Sequence, residues 1–580
     1  MPNPIFTSNT KKGDSFTFQT MSSSATTFDG SVYMKSNFTT GGGRATFDYG
    51  DGTGLDADNT PSHVYNDSGT TKTVTIRVGK IEDMYQMVFT DEQIVGNLDL
   101  SPLHFAGTNQ GVNFSSNSLL TGVTYNPTSL NRVRDPSNAT GIYDIDFSSC
   151  DITGELDLSN FKIRELLNGG TLQLYFDTNP NMTQIVLPPF NVDSSHSGDL
   201  GYFNGDFRVY NCDITGNLDV SPMSGNGISN IESYGNSNMT GITLNNLGKL
   251  GCLRSYSCDL QGVLDMSMLV LGGDNCSAAN THGLQVSSNS GLTGILLTGS
   301  NETIKVINVS ACDITGNLDI SMLSGFTTGG QGILTPNNPN LNIITLPSTG
   351  SVGVIDVSSC GLTGTTDLST GIDCGGFDCD SNTNLENILF KSSDYPITQL
   401  VLPNCGLQDM DFTPLSGISG TFQVYTNSSL SALTFTPNNN GTFTRFDSYN
   451  CNLTGTLDLP FSGLSGIFQV YGNSGLTNVT HATTSNSFTY YYADTCDLGY
   501  VDLTPLSGGT SDDINMRLYD NTMTATEVNH ILVDLDVFGW TGGTLDISGS
   551  NATPDGTSGG FDGLTARDNL TGKTWTVTTS

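Results

Sequence analysis

Positive charge is scarce in this sequence. Its 580 residues carry 20 Lys+Arg against 56 Asp+Glu, a formal net charge of -36. Phosphate binding needs clustered Lys and Arg, so a nucleic-acid partner is excluded. Adhesion to an anionic membrane is excluded on the same ground. Charge of either sign is low, at 13% of residues, while 36% are hydrophobic. That balance argues against disorder, which combines high charge with few apolar groups. No run approaches the roughly 18 apolar residues of a membrane span, so direct membrane insertion is not expected. The start, Met1-Pro2-Asn3-Pro4, lacks the positive residues and apolar core of a cleavable signal peptide. What the chain has in excess is Gly, 68 residues, together with Ser, Thr and Asn. This is a turn-rich, mainly β composition. The length exceeds one ordinary domain, which leaves several domains or a repeat array.

A repeat is present. The phrase Cys150-Asp-Ile-Thr-Gly154-Glu-Leu-Asp-Leu158 returns from Cys212 and from Cys312, with weaker copies at Cys258, Cys360, Cys405, Cys451 and Cys496. A second phrase, such as Phe468-Gln-Val-Tyr-Gly-Asn473-Ser-Gly-Leu476, lies between them. Aligned, both read apolar-x-apolar-x-x-marker, where the marker is Asn or Cys. From Asn117 to Asn521 there are 17 markers, and Asn and Cys alternate strictly. From Cys360 to Cys496 the steps are 22, 23, 22, 24, 22 and 23 residues, and earlier steps reach 33. The apolar-x-apolar step has period two, hence a strand. One such coil cannot bury its apolar stripe alone, but stacked coils form a continuous core. Successive strands then make a parallel sheet about 4.8 Å apart. A buried Asn would satisfy backbone groups of the inward turn, and a buried Cys is small enough for the interior.

The pattern resembles the leucine-rich-repeat family over roughly residues 90–550, with Leu often replaced by Phe, Val, Ile or Ser. Residues from about 13 to 80 resemble the polycystic-kidney-disease (PKD) domain. That likeness rests on Ala45-Thr-Phe-Asp-Tyr-Gly-Asp-Gly52, Pro61-Ser-His-Val-Tyr65 and Thr73-Val-Thr-Ile-Arg-Val78. It implies a small β-sandwich serving as a spacer or binding module, with Asp48, Asp51 and His63 as turn and packing residues. At the other end Thr524-Ala-Thr-Glu527 is a capping-box pattern. Val528, Ile531, Leu532 and Leu535 follow at helical spacing. The expected fold is therefore mainly β: a leucine-rich-repeat parallel β-solenoid (81–523), an N-terminal PKD-like β-sandwich (1–80) and a C-terminal cap containing a short helix (524–580).

The ladder cysteines fall on alternate coils, about 9–10 Å apart by strand spacing, beyond disulfide reach. All 12 cysteines are expected to be free thiols, Cys252, Cys276, Cys374 and Cys379 included, as in a reducing cytoplasm.

The position two before each marker should face out of the sheet. It holds Tyr in seven of 17 coils: Tyr210, Tyr234, Tyr256, Tyr425, Tyr449, Tyr471 and Tyr519. Arg208, Arg254 and Arg517 sit four before their markers, beside these sites. Two readings stand: ring ladders that support the sheet, or aromatic platforms for a ligand. A second column, Asp99, Asp157, Asp219, Asp265, Asp319, Asp367, Asp411, Asp458, Asp502 and Asp546, recurs in the Leu-Asp-Leu phrase. It reads as solvated or turn-capping carboxylate, with Ca2+ as the alternative. Asp373, Asp378 and Asp380 form a local acidic cluster that is the candidate Ca2+ site, and no other cofactor is expected.

Enzyme signals are poor. His63, His104, His196, His282, His481 and His530 show no metal-ligand spacing. Gly556-Thr-Ser558-Gly-Gly560 lacks the strand–turn–helix setting of a nucleophile elbow. The expected function is non-enzymatic recognition or adhesion. The protein would be a bacteriophage virion component, such as a tail fibre or spike, binding a host-surface glycan or protein. Its N-terminal domain would contact other virion or surface proteins, and oligomers are compatible with this role. The expected location is the virion surface or the extracellular space. The alternatives are a purely structural virion or appendage subunit, or a bacterial cell-surface adhesin.

Overall fold

A computed structural model describes residues 14–21, 27–34, 45–56, 58, 62–78, 84–101, 111–125, 144–161, 171–188, 204–223, 228–245, 247–273, 282–300, 302–327, 329–369, 371–392, 397–415, 417–436, 441–461, 463–482, 487–507 and 512–580. Pro61, His104, His196 and Cys276 lie outside these. The chain divides into two compact units, Met1–Ile304 and Lys305–Ser580. Each contains a parallel β-solenoid. Among the described residues no helix is long and apolar enough to cross a membrane.

In the first unit, β1 (Asp14–Met21), β3 (Thr46–Asp48), β4 (Leu55–Asp56) and β5 (Thr71–Val78) form one antiparallel sheet in the order β1-β5-β3-β4. Of the expected turn residues, Asp48 accepts the Gly50 N–H at 3.1 Å. Asp51 accepts the Thr53 N–H at 3.1 Å and contacts His63 Nε2 at 2.8 Å. The His63 ring stacks on Tyr49 at 4.0 Å. The strand β2 (Ser31–Met34) pairs instead with β6 (Met84–Val88), the first strand of the solenoid sheet. Residues 1–80 and 81–523 thus share a sheet across the expected boundary. They share a core as well, since Phe18 and Phe28 contact Phe89, which stacks on Phe114 at 5.4 Å.

After β6 the ladder runs in parallel through Gly111–Asn113, Asp144–Asp146, Thr171–Tyr175, Asn204–Arg208, Ile228–Glu232, Gly248–Arg254 and Gly283–Gln285. In the second unit it runs from Val306–Asn308 through ten further strands to Thr576–Thr578. The residues three and five before each marker point inward: Phe147 and Ile145, or Val424 and Phe422, are fully buried.

The two marker types have different tasks. Asn179 Nδ2 donates to the Phe147 carbonyl of the preceding coil at 2.9 Å and to Phe176 of its own at 2.8 Å. Its Oδ1 accepts the Ile152 N–H of the preceding coil at 3.1 Å. Cys212 only donates its thiol, to the Phe176 carbonyl of the preceding coil at 3.4 Å and the Tyr210 carbonyl of its own at 3.5 Å. A Cys coil thus depends on the Asn of the next coil. Other contacts join the same two coils, with Asn181 donating to Asp151 at 2.6 Å and Asn238 to Asp213 at 2.8 Å. The second strand of each coil follows this pairing. Thr153–Asp157 pairs with Asn181–Val186, and Thr454–Leu459 with Gly475–His481, as isolated two-stranded sheets. The doubled repeat is therefore a structural unit. In the Thr-Gly phrase, Gly154 adopts φ 73° at a register shift between the strands, which only glycine takes without strain.

The residue just before every marker is left-handed. Fifteen of these are not glycine, from Ser116 (φ 61°) through Thr178, Ala311 and Thr426 to Asp520, and the other two are Gly235 and Gly472. Sixteen of these seventeen N–H groups bond to the neighbouring coil within their unit, as Ala311 does to the Pro336 carbonyl at 2.8 Å. That bond holds the turn against a conformational cost of about 1–2 kcal/mol for a residue with a Cβ. Ala311 (φ 52°) has no polar side chain to offset it. We expect Ala311→Gly to raise the urea midpoint, by about 0.5–1 kcal/mol in stability. A lower midpoint would contradict this account of the turn.

The C-terminal helix forms as expected. Over α1 (Ala525–Phe538), Thr524 and Glu527 make the reciprocal capping box, and Val528, Ile531, Leu532 and Leu535 are buried. A second helix, α2 (Gly563–Gly572), was not anticipated. Its sign is Asp562, whose side chain accepts the Thr565 N–H. Gly556–Gly560 is part of the turn before it, organised by Asp555, which accepts from Thr557 and Ser558.

One cysteine expectation is corrected. Ten cysteines are free, but Cys252 is disulfide-bonded, with its partner outside the described residues. Cys252 lies six before its marker, in the outward-facing register of Gly248–Arg254, and the spacing argument for the inward marker ladder does not reach it.

Candidate functional site

The residues two, four and six before each marker form three outward columns on the main sheet. In four of the five coils whose first column holds Ser, the second holds Asn or Asp and the two close a local turn; the fifth pairs Ser287 with Gln285. Ser148 N and Oγ donate to Asp146, and Ser358 does the same to Asp356. Where the first column holds Tyr, the pattern changes.

In the first unit the rings of Tyr210, Tyr234 and Tyr256 stack face to face, at 4.5 and 4.6 Å and within 7° of parallel. In the second unit Tyr425, Tyr449 and Tyr471 stack at the same two spacings, within 6°. These distances are the strand spacing, so the ladder is set by the backbone. Each middle ring has both faces covered, which leaves flat stacking on a ligand only to the outer rings. The triplets present rows of ring edges and hydroxyls instead. Burial raises the phenol pKa values of Tyr210, Tyr234, Tyr256, Tyr449 and Tyr471, to about 12 for Tyr234 and Tyr449, so these hydroxyls stay neutral donors.

Each triplet abuts a buried carboxylate in its own column. Asp177 lies next to Tyr210 and hydrogen-bonds it. Asp494 lies between Tyr471 and Tyr519 and pairs with Arg517 Nε at 3.2 Å. The arginines are all engaged. Arg208 contacts Asp206 at 3.1 Å and Glu232 at 3.6 Å, and it stacks over Tyr175 at 4.3 Å rather than on Tyr210. Arg254 pairs with Glu232. Arg517 donates to the Tyr519 hydroxyl at 2.6 Å and lies 4.5 Å from the Tyr492 ring and 5.8 Å from that of Tyr471. No protein-family model, curated protein or solved structure matches the chain.

Sequence reasoning found the tyrosine column and missed its neighbours. Tyr175, Asp206, Glu232, Asp447 and Tyr492 face the same way, and extending the period-two argument from two to four and six before the marker finds them. Asp447 is fully buried, held by Arg445 and by Gln423 Nε2 at 2.9 Å. On the first unit's face Asp144 is pushed up to about 6 by burial, with Asp146 adding to the shift.

No group of three or more His, Cys, Asp or Glu among the described residues is arranged to hold a metal ion. The candidate Ca2+ residues are occupied otherwise. Asp373 pairs with Lys391 at 3.1 Å. Asp378 accepts the Asp380 N–H at 3.0 Å, and Asp380 accepts from Ser381 and Asn404. Burial lifts Asp378 to about 6. In the Leu-Asp-Leu column most carboxylates cap a turn, as Asp99, Asp157, Asp219 and Asp502 do on the N–H two residues on. Asp458 is different because Pro460 has no N–H, and it accepts from Thr480 at 2.5 Å. Asp546 belongs to the main sheet instead, paired between Arg517 and Thr578.

The described histidines pack. His481 is buried against Tyr491, which brings its pKa down to about 4. His530 lies between the rings of Tyr500 and Phe561, at 3.9 and 4.0 Å.

Proposed function

We propose that this is a non-enzymatic recognition protein that binds a surface glycan or a protein through the outward columns of its sheets. One observation carries the reading: each unit has a stacked tyrosine triplet abutting a buried carboxylate and bordered by arginine pairs. Such a surface offers neutral hydroxyl donors, carboxylate acceptors and guanidinium groups on a rigid backbone. Hydroxyl-rich or peptide ligands need that mixture, and tyrosine and arginine supply a large share of binding energy at interfaces.

We place the protein in the leucine-rich-repeat class, with display on a virion or cell surface and a PKD-like N-terminal module. The hydrogen-bonded asparagine ladder supports the first assignment, and the Asp51–His63 turn supports the last. Mass spectrometry of purified virions against washed host cells tests the location.

The binding test is Tyr425→Ala, Tyr449→Ala and Tyr471→Ala combined, read on a glycan array and on whole cells. We expect about thirtyfold weaker binding with the far-UV circular dichroism retained. Binding equal to the wild type would remove the second unit's triplet from the site.

A further inference from the structure

Cys379 and Cys405 are both buried free thiols, and their sulfurs lie 3.9 Å apart. The repeat explains the meeting. A marker Cys donates to the carbonyl three before the preceding Asn marker, as Cys360 does to Thr335 and Cys451 to Val424. The side chain on that residue faces the core beside the thiol. At Cys405 the residue so placed is itself Cys379, whose carbonyl accepts the Cys405 thiol at 3.1 Å. Elsewhere Phe, Ser, Thr or Val stands there, so this is one junction where the fold brings two sulfurs together. Cys252 is already disulfide-bonded, which belongs to a chain matured under oxidising conditions.

We propose that Cys379 and Cys405 are a disulfide-forming pair that staples two adjacent coils when the protein folds in the presence of a low-molecular-weight disulfide. Each thiol gives up its proton and the two sulfurs join. The two electrons reduce one oxidised glutathione to two glutathione thiols. The new bond closes a loop across one solenoid step and restrains the unfolded chain. Burial holds the Cys379 thiol far above its usual pKa, so attack needs an open chain and the bond forms during folding rather than on the finished protein.

The test refolds the full chain in a glutathione buffer until Cys252 is oxidised. Remaining thiols are then alkylated under denaturing conditions, and the protein is digested without reduction. Trypsin cuts after Lys391 and Arg445, so residues 392–445 carry Cys405 as their one cysteine. The expected result is residues 306–391 linked to residues 392–445. The link is lost on reduction and absent from Cys379→Ser, while Cys374→Ser retains it. The oxidised protein should also melt above the reduced one, by more than in Cys405→Ala, whose remaining shift belongs to the Cys252 disulfide. Alkylation of both Cys379 and Cys405 in the wild type, with Cys252 oxidised, would overturn the proposal.

Discussion

Asn427→Ala should lower the stability of its unit by about 2 to 5 kcal/mol. The side chain is fully buried and makes contacts that no water can replace. Its Nδ2 donates to the carbonyls of Leu402 at 2.9 Å and Val424 at 2.6 Å, and its Oδ1 accepts the Cys405 N–H at 3.0 Å. Alanine leaves the Cys405 N–H and the Leu402 carbonyl short of a partner, at about 1–3 kcal/mol each. Asn427→Asp should be worse near neutral pH, because a carboxylate oxygen would face two carbonyl oxygens. The neighbouring marker gives the contrast. Cys451 offers only its thiol proton, shared between the Val424 carbonyl at 3.2 Å and the Tyr449 carbonyl at 3.6 Å. Cys451→Ala should therefore cost about 1 kcal/mol. Urea titration followed by far-UV circular dichroism compares the three variants. Equal losses for Asn427→Ala and Cys451→Ala would defeat the account of the alternating markers.

Glu92→Gln should stabilise the protein in alkaline solution and change it little in mild acid. Glu92 sits where β1 meets the first coil and is 4% exposed. Its carboxylate accepts the Asp29 N–H at 3.0 Å, and its backbone carbonyl accepts the Thr20 hydroxyl. Burial is the main cause that raises its pKa from 4.5 to about 8, and the nearby Asp29 and Asp91 push the same way. The folded state therefore holds one more proton than the unfolded chain between these two values. That contribution is complete below about pH 4.5 and is lost as the pH rises through 8. The difference corresponds to an upper bound of about 5 kcal/mol. Glutamine keeps the acceptor for Asp29 and cannot ionise. Melting curves at about pH 6 and about pH 9 should therefore show the wild type losing more than the variant. Parallel curves would mean that Glu92 ionises without strain in the folded protein.

The tyrosine column was legible because period two tells which residues leave the sheet, and Tyr recurred at one register position. Its chemistry was less legible. Arg208 and Arg254 stand beside tyrosines in the sequence, yet both pair with carboxylates: Arg208 with Asp206 of its own strand, and both with Glu232, which belongs to the coil between them. That competition is between neighbouring strands, and sequence spacing reports only positions within one strand. The ring faces were likewise open to two readings until the stacking distances showed that neighbouring rings cover one another.

The sequence alone determined the repeat, the parallel β-solenoid, the inward and outward positions, the buried Asn and Cys markers and the capped helix α1. All of these follow from local periodicity and from the chemistry of single residues. The tertiary structure decided the rest. It grouped coils in pairs, because the Asn of one coil serves the backbone of the coil before it. It placed β2 on β6, made Cys252 part of a disulfide, and set Cys379 against Cys405. Each of these is a contact between coils or segments separated by insertions of unequal length. Which residue lies across such a step depends on the stacking register, and that register exists only once the coils are packed.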